Sequence, residues 1–250
     1  MLKLDFKGRT ILVTGGTRGI GKQIAEDLFQ LGAEVLITGT NPKEIDEFNL
    51  ESSANGYKKK YFCVNFLEEK RQISFLKEIK AYPKIDGIVN NAGINRLNKI
   101  QEALISDWND MLEINLSSPF KILNAVSSNM IHNGYGRIVN ISSIFGVISK
   151  EKRTLYSATK FGIHGLTVGS SNDLAKYNIL VNTVSPGFVL TDLTKKNLSN
   201  DEIKELSEQV PMKRMAETKD ISNVVIFLLS DLNSYLTGQN IIIDGGFTNV

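Results

Sequence analysis

The sequence predicts a doubly wound α/β domain, a parallel sheet covered by helices on both faces. Three observations carry that expectation. Short β-branched runs alternate with helically spaced apolar residues from residue 10 to residue 244, an order that requires right-handed crossovers between parallel strands. A glycine-rich turn joins the first strand to the first helix. No proline- or glycine-rich linker and no repeat of fixed period divides the chain, so residues 1–250 read as a single domain.

Residues 10–14 are rich in β-branched side chains and read as a buried strand. After the glycine turn, Ile20, Ile24, Ala25, Leu28 and Leu31 recur at helical spacing until Gly32 stops the helix. Residues 34–38 form the second strand. The alternation continues with strand 60–64, helix 69–80, strand 87–90, helix 106–116 and a long helix over about 119–131. Strand 137–142, helix 156–176, strand 180–185, helix 220–229 and strand 240–244 complete it. Residues 187–211 are polar and lysine-bearing, long enough for small helices of their own. A connection of that length in a compact domain is usually functional, so it reads as a lid.

Composition excludes several classes. Apolar residues make up 42% and charged residues 22%, which is ordinary globular usage rather than disorder. With 29 basic and 27 acidic residues the net charge is +2, too balanced for a nucleic-acid footprint, and the lysines at 58–60 read as a solvated loop. Residues 1–9 carry no apolar signal core. The aliphatic stretch 224–229 is far short of the ~20 residues that span a bilayer. A single cysteine, Cys63, allows no intrachain disulfide and fits a reducing cytoplasm. His132 and His164 have no partners at metal-ligand spacing, so no metal is expected.

The turn reads Thr14-Gly15-Gly16-Thr17-Arg18-Gly19-Ile20-Gly21, with Gly15, Gly19 and Gly21 in a GxxxGxG spacing. Glycines there let backbone approach a pyrophosphate, and the helix start offers free N–H donors and a positive dipole end. An NAD site usually places an acid at the end of the second strand. Here that stretch ends in Gly39, Thr40 and Asn41, while Arg18 supplies a cation within the turn. NADP(H) is therefore favoured, with NAD(H) left open.

Tyr156 and Lys160 stand at i and i+4 of a helix and share one face. Ser143 lies just past a strand end, where side chains of a parallel sheet meet the cofactor crevice. A tyrosine acting as a base at neutral pH must ionise ~3 pH units below its usual pKa near 10, about 4 kcal/mol. A lysine cation about 4 Å away at an effective dielectric of 20 supplies roughly that amount. In reduction the tyrosine hydroxyl gives a proton to the carbonyl oxygen, and Ser143 holds that oxygen.

With these residues the sequence resembles the short-chain dehydrogenase/reductases, from Lys7 to Val250. The likeness runs through the glycine turn, Asn90-Asn91-Ala92-Gly93, Asn115, Ser143 with Tyr156 and Lys160, Pro186-Gly187 with Thr191, and Asp244-Gly245-Gly246. It implies that Asn115 holds a water linking Lys160 to solvent. It places Asn91, Ala92 and Gly93 on the adenosine side, Asn65 near the adenine, and Thr191 and the backbone near Val189 at the nicotinamide carboxamide. It also implies a homotetramer, with the helices within 106–131 and 156–176 packed across a two-fold axis.

Within the family the chain is most similar to bacterial 3-oxoacyl-acyl-carrier-protein reductases, through Pro186-Gly187-Phe188, Gln209-Val210-Pro211 and Thr237-Gly238-Gln239. Two arginines common in that group are replaced by Gly134 and Tyr177, so the basic contacts to an acyl carrier protein are not carried over. The run Lys150-Glu151-Lys152-Arg153 just before Tyr156 is a second departure, either solvated or facing an anionic substrate. The leading expectation is NADPH-dependent reduction of a 3-oxoacyl thioester. The alternative is reduction of a sugar-derived or other polar ketone. A non-catalytic dinucleotide binder is the third, although such relatives typically lose the tyrosine or lysine kept here.

Overall fold

A computed structural model of the protein describes residues 4–249. Nine strands form in chain order: β1 (Thr10–Val13), β2 (Glu34–Gly39), β3 (Lys59–Cys63), β4 (Gly87–Asn90), β5 (Gly136–Ile141), β6 (Ile179–Pro186), β7 (Val189–Leu190), β8 (Ala216–Glu217) and β9 (Asn240–Ile243). The helices are α1 (Gly19–Gln30), α2 (Pro42–Asn55), α3 (Glu69–Lys80), α4 (Ile105–Leu112), α5 (Ser118–Asn133), α6 (Thr154–Leu174), α7 (Asp192–Asn197), α8 (Asn200–Gln209) and α9 (Thr218–Leu229). Seven strands make one sheet in the order β3-β2-β1-β4-β5-β6-β9, and every pair is parallel. This is the expected doubly wound, Rossmann-type domain.

Alternation along the strands divides the core into two layers. Ile11, Val13, Val35 and Val89 face α1 and α9, packing on Ile24, Leu28, Ile221 and Val225. Leu12, Leu36, Ile88 and Ile138 face the opposite side, where Phe75 and Ile79 of α3 and Ile122, Val126 and Met130 of α5 close the layer. Strand order reverses between β1 and β4, so their carboxyl ends open a crevice, where open α/β sheets bind ligands.

Three elements differ from the sequence expectation. Helix α2 was not predicted, because Ile45 is its one buried apolar residue. Its termini carried the signal instead: Asn41 caps the first turn, Pro42 follows, and Gly56 ends the helix in the left-handed region at φ +64°. Second, the two helices expected around residue 117 are joined by a π-helical turn, Glu113–Ser117, which carries Asn115. Third, β7 and β8 form a short parallel pair that the periodicity did not show, while residues 187–211 hold small helices as expected, α7 and α8. No helix among the described residues is long and apolar enough to cross a membrane.

Candidate active site

The glycine turn is clamped at the carboxyl ends of β1, β2 and β4. The Asn91 amide donates to the carbonyls of Thr14 and Gly15 at 3.0 and 3.1 Å, and the Thr14 hydroxyl accepts from the backbone N–H of Asn91 and Ala92. The Thr38 hydroxyl accepts from Gly15 N. A side chain at Gly21 would put its Cβ 2.4 Å from both the Asn91 amide and the Gly15 carbonyl, so only glycine lets α1 start this close. Gly19 sits at φ +56° beneath Thr191, the residue that caps α7.

Helix α1 has no side-chain cap and no acid in its first turn. Its first N–H groups are left to donate to an anion, with the dipole aligned in favour. Beside it lies a cavity of 590 Å³, lined by Gly15, Thr17, Arg18, Thr40, Asn65, Asn91, Ala92 and Gly93 among others. That volume is ordinary for a cofactor site. The uncapped helix and the backbone cradle at Gly21 fit a dinucleotide pyrophosphate. Lys22, one turn beyond Arg18, also lines the cavity. So does Glu44, a carboxylate that enters on α2 and was invisible while that helix was unrecognised.

The catalytic candidates converge beyond the Gly93 end of this cavity. Ser143 follows β5 and caps a short 3-10 turn, its hydroxyl oxygen accepting from Phe145 N at 3.2 Å. Tyr156 and Lys160 lie one turn apart on α6, and the Lys160 ammonium donates to the Ile141 carbonyl at 2.8 Å. Asn115 accepts from Ile94 N and donates to Ile94 O, both at 2.9 Å, and also donates to the Thr159 hydroxyl. Its amide thus ties the Gly93–Ile94 loop to α6. A methyl on Gly93 would sit 3.3 Å from Asn115 Oδ1 and 3.6 Å from Lys160 Nζ, so glycine leaves the space between them open.

Charge at the site departs from the simple lysine–tyrosine pair. Burial pushes Tyr156 above its ordinary pKa, against the opposing pulls of a hydrogen bond with Ser143 and the Arg153 charge. Lys160 stands 5.6 Å from the centre of the Tyr156 ring and bonds to backbone. The groups that oppose burial at the phenol here are Ser143 and Arg153. Burial also brings Lys160 itself down to about 8. At neutral pH Tyr156 is therefore a neutral phenol, the form a proton donor needs.

The other predicted residues are distributed around this centre. Gly19, Ile20 and Gly21 form the start of α1, where Gly19 and Ile20 are half-buried and Gly21 is buried beneath the Asn91 amide. Pro186 ends β6, Gly187 packs against Asp244, and Val189 begins β7. Thr191 reaches back over Gly19, which brings the root of the 187–211 segment to the glycine turn. Thr159, which holds Asn115, was not singled out in the sequence; its place beside Lys160 was the available signal.

Known proteins resemble this chain over nearly its whole length. A family model described as Enoyl-(Acyl carrier protein) reductase matches residues 15–248. The chain is 40% identical to 3-oxoacyl-[acyl-carrier-protein] reductase FabG of Aquifex aeolicus over 251 aligned positions, covering 98% of this chain and 99% of that protein. Against FabG of Escherichia coli the identity is 37%, with 97% and 98% covered. Gluconate 5-dehydrogenase of Burkholderia cenocepacia, solved in complex with NADP and tartrate, superposes with a TM-score of 0.90 at 29% identity, covering 99% and 98% of the two chains. ElxO with NADP bound superposes at 0.87 and 29% identity over 97% of this chain and 99% of its own. Likeness over almost the whole length, on the same seven-stranded sheet, shows that the chain belongs to the short-chain dehydrogenase/reductase family of oxidoreductases.

Proposed function

We propose that the protein is an NADP(H)-dependent ketone reductase in which Tyr156 is the proton donor. The observation that carries this reading is the convergence of a neutral Tyr156 with Ser143, Lys160 and the Asn115 clamp beside the dinucleotide cavity. Bound NADPH supplies the hydride that reduces the carbonyl carbon. The Tyr156 hydroxyl gives its proton to the carbonyl oxygen, so a C=O becomes a CH–OH. The Ser143 hydroxyl accepts from Phe145 N and bonds to Tyr156, so it stands where it can turn its O–H to the carbonyl oxygen when a ketone binds. Lys160 stands next to Tyr156 to resupply the proton.

The NADP preference is supported by Gly39 ending β2 and Thr40 following it, neither a carboxylate, and by Arg18 and Lys22 at the cavity. It is supported also by the NADP in the two solved relatives. Replacing Arg18 with alanine is expected to weaken NADPH binding ~10–100-fold, the worth of a charge-assisted hydrogen bond, while NADH binding changes little. Fluorescence titration with both nucleotides checks this, and an equal loss for both would remove Arg18 from the 2′-phosphate.

The names of the curated relatives support a 3-oxoacyl thioester as substrate, with an acyl carrier protein as its bearer. A second reading, an acidic polar ketone, is favoured by the unpaired Arg153 beside Tyr156 and agrees with the gluconate 5-dehydrogenase relative. Either way the segment 187–211 serves as the lid. The enzyme is read as cytoplasmic from its single cysteine, and as homotetrameric because α5 and α6 leave Phe120, Phe161 and Val168 exposed as an apolar face for a second subunit.

The test is the initial rate of NADPH oxidation with acetoacetyl-CoA and a panel of polar ketones. Ketone-dependent consumption is expected. Tight NADPH binding with no consumption across the panel would leave only the dinucleotide-binder reading.

A further inference from the structure

The basic run before Tyr156 is folded back on itself. Lys152 adopts φ +65°, a left-handed conformation that is costly for a side chain with a Cβ and recurs at functional sites. Arg153 N donates to the Lys150 carbonyl at 3.2 Å and closes the turn. As a result both cations of the turn lie over one ring: Arg153 Cζ is 4.8 Å and Lys150 Nζ 5.7 Å from the centre of Phe145. Phe145 in turn meets Tyr156 edge-on, 6.5 Å between ring centres. Arg153 is close enough to favour the ionised form of the Tyr156 hydroxyl.

These two cations are not neutralised. Glu151, the one acid in the run, pairs instead with Lys99 at 3.3 Å. None of the ion pairs among the described residues includes Arg153 or Lys150. Arg153 Nε is buried with no hydrogen-bond partner. A half-buried guanidinium in that state costs free energy, and a planar anion that accepts from its fork would offset the cost.

We propose that Arg153, backed by Lys150, recognises an anionic group, a carboxylate or a phosphate, on the ketone that Tyr156 protonates. The inference rests on the ketone-reductase reading and selects the acidic substrate class within it. Arg153 is a specificity residue here and takes no part in the proton transfer.

Matched pairs of ketones test it: acetoacetate and levulinate against their methyl esters, and dihydroxyacetone phosphate against dihydroxyacetone. The acid-to-ester ratio of kcat/KM cancels any general effect of a substitution on folding or on Tyr156. The protein is expected to favour the anion at least ~10-fold in one class of pair, mostly through KM, which also tells carboxylate from phosphate. Arg153→Gln is expected to bring that ratio near one, and Arg153→Lys to retain part of it. Equal use of both members of every pair, or an unchanged ratio in Arg153→Gln, would overturn the proposal. Should no ketone be reduced, glutarate and inorganic phosphate are titrated into the NADPH complex and read by its fluorescence. Saturation that disappears in Arg153→Gln keeps the anion site while the reductase reading falls; no such saturation removes the site.

Discussion

Tyr156→Phe is expected to lower kcat for ketone reduction ~10²–10⁴-fold, the usual worth of a positioned general acid, while NADPH affinity stays within about threefold, since no cofactor phosphate contact is assigned to the hydroxyl. The substitution removes one oxygen and little else. The ring keeps its edge contact with Phe145, and the hydroxyl of Thr159 still donates to the residue's main-chain carbonyl at 2.8 Å. The pH dependence follows from the same site. Because burial holds Tyr156 above its ordinary pKa, reduction does not slow through loss of its proton near neutrality. Lys160 loses its proton at about 8, so the reductive rate is expected to be flat below that pH and to decline above it. Steady-state rates from pH 6 to 10, beside a fluorescence titration of NADPH, measure both effects. A Tyr156→Phe enzyme within tenfold of the parent would move the proton donor elsewhere.

How much of this was legible in the sequence depends on what kind of signal each residue leaves. The seven sheet strands are short and apolar, and the crossover helices pack broad apolar faces, so periodicity found nearly all of them. Helix α2 buries one apolar side chain, Ile45, and was visible only through its caps. The glycine turn announced a phosphate site because Gly21 has a neighbour at 2.4 Å that excludes any side chain. Tyr156 and Lys160 were found through spacing, which fixes that two side chains share a face. It says nothing about what else each touches. The bond from Lys160 to Ile141 and the approach of Arg153 to Tyr156 are tertiary facts, which no spacing along one helix could show. Asn115 is a similar case. The family likeness implied that it holds a water; the bonds of its side-chain amide to Ile94 and Thr159, made from a π-helical turn, left no signal in the sequence.

Lys160→Met is expected to cost most of the activity, ~10²-fold or more if the proton relay runs through the ammonium, and yet to stabilise the fold at pH 7. Lys160 is buried and its pKa falls from 10.5 to about 8 on folding. Between those two values the unfolded chain binds more protons than the folded one, so stability contributed by this group rises with pH across that window. Below about 8 the folded protein carries the full penalty of the buried charge, about 3 kcal/mol; above 10.5 the penalty is gone. Methionine removes the charge at similar length but leaves the Ile141 carbonyl without its lysine donor, a loss of about 1–3 kcal/mol. The net gain at pH 7 is then up to about 2 kcal/mol, a rise of at most a few degrees in Tm for a chain of this size. The sign should reverse at pH 10.5, where the parent no longer bears the charge and the variant still lacks the hydrogen bond. Thermal unfolding at the two pH values, read beside NADPH consumption, therefore separates a penalised buried cation from a structural one. A variant less stable by the same amount at both would mean that Lys160 is held for packing. Crossing curves would mean that the fold tolerates a destabilising charge at this position because Tyr156 needs it there.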